Sequence, residues 1–240
     1  MIPAVVEVWV YLSTSPLLWL TATLLAYIAA HRLYLASGEN PLVNPVAVAI
    51  LILLAVLLLT GTDYPTFFEG AQFIHFLLGP ATVALAVPLY THFAIVRRAV
   101  VPMLAALLAG SVTAVVSAVG IAWLLGASPE TLASLAPKSV TTPIAMGIAE
   151  QIGGLPSLTA VMVILTGIIG AIAVTPLFDR LGLTDFRARG FAAGVAAHGI
   201  GTARAFQVDP IAGTFAGIAM GLNGLATAIL VPLLLGLLPR

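Results

Sequence analysis

Two stretches place polar and helix-breaking residues inside runs that are otherwise apolar. The first is Pro137–Ala145, which holds Lys138, Ser139, Thr141 and Thr142 immediately before Pro143. The second is Gly194–Arg204, which holds His198, Gly199, Gly201, Thr202 and Arg204. Ser or Thr suits a helix cap and Pro the first helical turn, so a helix is expected to start at Thr142–Pro143. Its free N–H groups and positive dipole end would then favour an anion beside Thr141 and Thr142. An ordinary cap is the plain alternative, and Lys138, the only lysine, reads equally as a loop charge at a rim. Arg204 offers a planar fork of donors suited to a carboxylate. At the end of a span it could instead snorkel to the interface. His198 and Thr202 are four apart on one face, whereas Arg204 falls about 240° beyond His198 on a regular helix. Unwinding at Gly199 and Gly201 would be needed to bring the arginine to the histidine. A lone His in an apolar segment is otherwise a hydrogen-bonded structural residue.

Gly79-Pro80, with Thr82 behind them, start a further helix inside an apolar run and make a natural counterpart to the first two stretches; a proline kink is the simpler reading. Asn223 and Thr227, four apart, either line a cavity or hydrogen-bond between helices. Gly213, Gly217 and Gly221 repeat at four-residue spacing, which argues close helix packing. The anion-binding set expected from these residues is therefore Lys138, Ser139, Thr141, Thr142, Pro143, His198, Gly199, Gly201, Thr202, Arg204 and Asn223, with Gly79, Pro80 and Thr82.

The elements holding these residues follow from composition. Of 240 residues, 61% are apolar and only 8% charged, with a mean hydropathy of +1.15. Soluble chains carry about 25% charged residues, and here the apolar material comes in runs long enough to cross a hydrocarbon core. The expected fold is all-α and polytopic. Seven spans are read: Pro16–Leu35, Val43–Thr60, Phe73–Val96, Val101–Ala127, Leu155–Phe178, Arg189–Phe206 and Ile211–Leu238. Ile2–Leu12 is too short to span comfortably and reads as a half-embedded helix. A net charge of zero gives no case for nucleic acid. The absence of cysteine excludes disulfides and thiolate metal sites. No phosphate loop, dinucleotide fingerprint or zinc-type His pairing occurs. His198 has no acidic neighbour a turn away, so neither an enzyme nor a cofactor is expected.

Arg32, Arg97-Arg98, and Arg180, Arg187 and Arg189 fall in alternate loops, which places those loops in the cytoplasm and Asp63, Glu69, Glu130 and Asp209 outside. Leu135–Gly154 then enters and leaves on the outer side as a re-entrant hairpin or a broken helix. Spans two to four and five to seven run in opposite senses, each trio with a breaker-rich middle member. That is the pattern of an inverted-topology repeat with discontinuous helices. Within one transmembrane domain the expected parts are residues 1–36, a first repeat at 43–127, and the re-entrant segment with the second repeat at 135–240. Pairing Leu78–Ala86 with Val140–Ile148 gives a competing register.

Leu78–Leu89, Pro137–Ala145, Glu150–Ala160, Ala197–Ala205 and Gly221–Leu225 resemble the LrgB/CidB family, in order and from about Asn40 to the end. The resemblance implies one of two roles. Members are described as antiholin-like proteins that, with a small LrgA/CidA-type partner, modulate murein hydrolase export and lysis. They are also described as carriers of small monocarboxylates, pyruvate in bacteria and glycolate and glycerate in a related plant plastid translocator. The expectation is a monocarboxylate carrier in a bacterial cytoplasmic membrane, with a second copy of itself and a separate LrgA-like protein as candidate partners; the antiholin-like regulator is the alternative. The family supplies no residue roles, so the site rests on the chemistry above.

Overall fold

The structure, a computed structural model, describes residues 15–84 and 86–235, apart from the side chains of Leu78, Thr82, Ala86, Leu89 and Leu235. The stretch Ile2–Leu12 and the end of the seventh span lie outside these residues. Every regular element described is a helix, in keeping with the all-α membrane expectation. Four helices among the described residues are long and apolar enough to cross a membrane, and a shorter apolar one spans Pro45–Thr60. Contacts divide the chain into two compact units, Met1–Ala86 and Val87–Arg240.

In the first unit, α1 (Pro16–Ala36), α2 (Pro45–Thr60) and α3 (Tyr64–Phe76) each start with proline in the first turn. There a missing N–H costs nothing. Asn44 caps α2, its Oδ1 accepting from the N–H groups of Val46 (2.9 Å) and Ala47 (3.1 Å). Trp19 of α1 is buried and meets the Phe67 ring of α3 edge-on at 5.9 Å. Gly70 lies where a side chain would overlap Trp19 and the Pro16 carbonyl, which is what allows α3 so close to α1.

The third expected span, Phe73–Val96, is not one rod. It falls across α3, α4 (Leu78–Ala84), α5 (Ala86–Thr91) and α6 (Phe93–Arg98). Turns at Leu77 and His92 interrupt it, and Pro80 sits in the first turn of α4, the place where proline is tolerated and from which a preceding helix cannot continue.

The second unit is built on α7 (Val100–Leu124), α10 (Pro156–Arg180), α11 (Phe186–Val208) and α12 (Pro210–Leu235). At 1.5 Å per residue α7 and α10 are each about 37 Å long, enough to cross a bilayer. α7 buries Met103, Leu107, Ser111, Val115 and Val119, a stripe at four-residue spacing, and leaves Leu104, Leu108, Val112 and Val116 exposed. An apolar outer face of that size suits lipid rather than water. Met103 and Leu107 pack with Phe191 and Val195 of α11 and Phe215 and Ala219 of α12.

α11 and α12 form a tight hairpin around Asp209, whose Oδ1 accepts from the N–H groups of Ile211 (2.7 Å) and Ala212 (3.1 Å). The close approach is made by Gly190 and Gly194 of α11, where a Cβ would strike the carbonyls of Ala212 and Ala216. The α12 glycines contribute less: Gly213 makes room for the Phe206 ring, and Gly221 faces open space.

Between α7 and α10 lie α8 (Pro129–Leu135), a turn at residues 136–141, and α9 (Thr142–Gln151). These helices are about 10 and 15 Å long, too short to span. The segment expected at Leu135–Gly154 as a re-entrant hairpin or a broken helix is thus a turn followed by the short α9. Ser134 ties its base to α10: its hydroxyl accepts from the Leu155 N–H at 2.7 Å, and its carbonyl accepts from Thr159 Oγ1 at 2.9 Å.

Candidate functional site

α11 is the second interruption. Ala197 (φ −125°, ψ 17°) and His198 (φ 39°, ψ −132°) leave the helical region, so α11 consists of two half-helices meeting there. A positive φ at a non-glycine residue costs of order 1–3 kcal/mol and persists only where surroundings enforce it. The break thus falls just before Gly199 and Gly201, rather than at them as the sequence suggests. Both glycines are helical, and Gly201 has a different task. A Cβ there would come 2.6 Å from Ala197 Cβ and 2.7 Å from the Ala193 carbonyl, so its absence lets the second half fold close against the first.

His198 is 4% exposed. Its Nε2 lies 2.9 Å from the Val163 carbonyl of α10. A carbonyl only accepts, so Nε2 carries the proton and donates. The ring sits over Gly167, one turn along α10 from Val163, where a Cβ would come 2.7 Å from Cε1. Thr202 Oγ1 donates to the His198 carbonyl at 2.8 Å and approaches Met220 Sδ at 3.9 Å, so this face of the second half-helix looks toward α12.

Beside the break lies a cleft of about 650 Å³, lined by Ala109, Gly110, Thr113 and Ala114 of α7, by Lys138 and Ser139, by Thr166, Ile169 and Gly170 of α10, and by Ala196 of α11. Lys138 is partly buried, and its Nζ donates to Ser139 Oγ at 3.2 Å. Among the described residues no carboxylate lies within 4.0 Å of it: the ion pairs there are Arg187–Asp185 and Arg189–Asp179. No acidic residue lines the cleft either. A second groove of about 630 Å³ shares Gly110, Ala114 and Ala196 with the cleft and runs along α7 and α11 to Arg98, Asp185 and Arg187. The two are neighbours, with Lys138 lining the cleft and Arg98, Asp185 and Arg187 lining the groove.

The structure brings Lys138 and Ser139 into the cleft, with Ala196, two residues before His198, in its wall. Thr141, Thr142 and Pro143 follow at the start of α9. The Thr141 side chain makes no cap bond, and the helix opens with its dipole unanswered by a side chain. Arg204 goes elsewhere. Residues 199–208 are regular helix, so Arg204 stands about 200° from Thr202, on the face opposite the one that meets Met220. Its Nη1 donates to Gln207 Oε1 at 3.4 Å.

Asn223 is buried and fully engaged within the protein, donating to the Ser139 and Val195 carbonyls and accepting from Ser111 and Thr227. Gly79 and Pro80 belong to the first unit, on α4; the Thr82 side chain lies outside the described residues. Sequence reasoning missed Ser111, Thr113 and Thr166. Ser111 had a signal, being the one polar member of the buried α7 stripe. Thr113 and Thr166 had none, since single threonines are common in spans.

The LrgB-like family matches residues 23–237. The chain belongs to the LrgB-like family. Similar proteins include YwbG, an uncharacterized protein of Bacillus subtilis, 35% identical over 89% of this chain and 94% of its own length. The holin-like protein CidB of Staphylococcus epidermidis is 31% identical over 82% of this chain and 86% of its own. CidB of Staphylococcus aureus is 30% identical over 91% of this chain and 95% of its own. No solved structure matches the chain. Membership agrees with the apolar helices in making this a membrane protein, and family members of holin-like name run almost the same length.

Proposed function

We propose that this LrgB-like protein is a secondary carrier of small monocarboxylates, of the C2–C3 2-oxo or 2-hydroxy acid type, in the cytoplasmic membrane of a bacterium. The observation that carries the reading is the Lys138 ammonium, which stands in a cleft between three helices with no carboxylate among the described residues to neutralise it. In a medium of low dielectric an unanswered cation is costly, and an anionic ligand offsets that cost. Lys138 would bind the carboxylate as a point charge, with Ser139 Oγ and the Thr166 hydroxyl within the same walls to read a keto or hydroxyl oxygen. The start of α9 at Thr142 adds a favourable dipole.

The neighbouring groove carries Arg98 beside the paired Arg187 and Asp185, and its shared wall at Gly110, Ala114 and Ala196 is where an anion would pass to the lysine. Alternating access would then move the two interrupted segments relative to the helices around them, as in carriers built on broken helices. Arg204 has no part in this version.

The test is counterflow of labelled pyruvate, glycolate and glycerate in proteoliposomes containing this chain alone. Saturable exchange in wild type, lost in Lys138→Met and partly kept in Lys138→Arg, is the expected outcome. Full exchange by Lys138→Met would refute the assignment. The second reading, regulation of a small holin-like membrane partner that controls murein hydrolase export, is favoured by the holin-like names of the staphylococcal relatives. It predicts no counterflow by the chain alone under any condition, and a lysis phenotype that Lys138→Met leaves intact.

A further inference from the structure

The two interruptions of the second unit meet at one side chain. Asn223 of α12 is 1% exposed. Its Nδ2 donates to the Ser139 carbonyl at 3.1 Å and to the Val195 carbonyl at 3.0 Å. Its Oδ1 accepts from Ser111 Oγ at 2.6 Å and from Thr227 Oγ1 at 3.4 Å. A primary amide has two donor hydrogens and one oxygen with two lone pairs, so its capacity is used in full. None remains for a ligand.

The identity of the two carbonyls matters. The first half of α11 ends at Ala196, since Ala197 and His198 are not helical. The last four carbonyls of a helix have no partner within it, and Val195 is one of these residues. Ser139 stands in the turn between α8 and α9, where no helix ladder serves it, and its hydroxyl accepts from the Lys138 ammonium. A single amide thus replaces the missing ladder at both interruptions. Hydrogen bonds tie the end of the first half of α11 through Asn223 to the Ser139 carbonyl, and the hydroxyl of the same serine holds Lys138.

We propose that Asn223 is a positioning residue that locks the lysine-bearing turn to the break in α11, so that the two interruptions hold one spacing and shift together. It acts through two backbone carbonyls and touches no substrate. Ser111 and Thr227 orient the amide so that its NH2 side, not its oxygen, faces those carbonyls. Aspartate has nearly the same shape yet, when ionised, presents oxygen to both carbonyls; leucine of similar volume leaves both unpaired. The claim about the lock holds whatever the protein transports; its effect on uptake rests on the carrier function proposed above.

Hydrogen exchange resolved by mass spectrometry, on the full chain in lipid nanodiscs, tests it. In Asn223→Asp, amides of residues 138–145 and of residues 195–202 are expected to exchange about tenfold faster or more, both together, while residues 159–171 of α10 keep the wild-type rate. Ser111→Ala removes one anchor of the amide and keeps both donors, so it should quicken the same two segments about fivefold and equally. This second variant serves should the first not fold. A rise in one segment without the other, no rise in either, or a rise across α10 as well would overturn the lock.

In proteoliposomes, Asn223→Asp should raise KM for the transported monocarboxylate about tenfold with Vmax near wild type. A loss of Vmax at unchanged KM would mean that the amide merely supports the fold. If wild type itself shows no uptake, the carrier function fails while the exchange result still decides the lock.

Discussion

Gly167→Ala is the sharpest probe of how the broken helix is held. The added Cβ would lie 2.7 Å from His198 Cε1, 2.8 Å from Ile200 Cδ1 and 2.9 Å from His198 Nε2, distances that real side chains do not tolerate. The imidazole cannot swing freely, because it is buried and donates to the Val163 carbonyl at 2.9 Å. Overpacking of this kind costs about 1–3 kcal/mol. Losing the His198–Val163 bond adds about 1 kcal/mol. The gain in helix propensity from glycine to alanine returns about 1 kcal/mol, so the net loss is about 1–3 kcal/mol. Gly120→Ala is the internal control: it is also helical, nothing lies within 4 Å of its added Cβ, and only the gain of up to about 1 kcal/mol applies. The two variants should therefore differ by about 2–4 kcal/mol when unfolded by SDS in mixed micelles. Equal unfolding midpoints would mean that the His198 ring does not sit over Gly167, and the account of the break would fall.

Three further outcomes follow from the geometry. Arg204→Ala should retain uptake where Lys138→Met loses it, measured side by side in proteoliposomes; an equal loss in both would return the arginine to the site. At the start of α11, the Arg187 side chain hydrogen-bonds Asp185 and holds its carboxyl below the usual carboxylate range. A lowered pKa in the folded state means a contribution present above the unfolded pKa and lost as pH falls through the folded one. The N-terminal turn of α11 should thus loosen only in acid, below about pH 4. The effect is small because both partners are half exposed. Asp185→Asn should remove this acid step, read by exchange at residues 186–190. Finally, with no native cysteine, Glu130→Cys should react with an impermeant maleimide added to intact cells, whereas Leu183→Cys should react only in inside-out vesicles. Labelling of both from one side would refute the loop assignment.

What the sequence made legible is mostly what the bilayer dictates. Long apolar runs end at prolines, charges or glycines, so the limits of α1, α2, α7, α10, α11 and α12 follow the expected spans within a few residues. Hydropathy measures solvent preference and not backbone continuity, so the third expected span hides turns at Leu77 and His92 within a run that is largely apolar. The sequence points to a break in α11 but one or two residues too late. Glycine is the residue expected to unwind a helix, whereas the positive φ falls on His198, held there by a hydrogen bond to α10 that no local pattern encodes. Asn223 was visible as a polar residue in a span, but its partners lie 28, 84 and 112 residues away. Whether it reads a ligand or ties helices together is a question of tertiary contacts alone.

The fate of the two cations makes the same point energetically. Arg204 looked the more expensive residue because the guanidinium cannot shed its charge, but cost in a membrane depends on the direction a side chain takes as much as on its depth. On a regular helix beyond the break, direction is fixed by 100° steps from Thr202, and those steps carry Arg204 to the opposite face. Lys138 is not on a helix at all. It sits in a turn whose backbone is pinned by Asn223 and whose walls are three helices, so it cannot follow a helix face outward. A partly buried ammonium in that setting is a group whose charge an arriving carboxylate would offset. Interrupting two helices is costly in a bilayer, since each break frees carbonyls and N–H groups that lipid cannot satisfy. The arrangement is stable only because a few buried polar side chains take those groups up, and a lysine in the resulting cleft is a use for the space that an unbroken bundle would not provide.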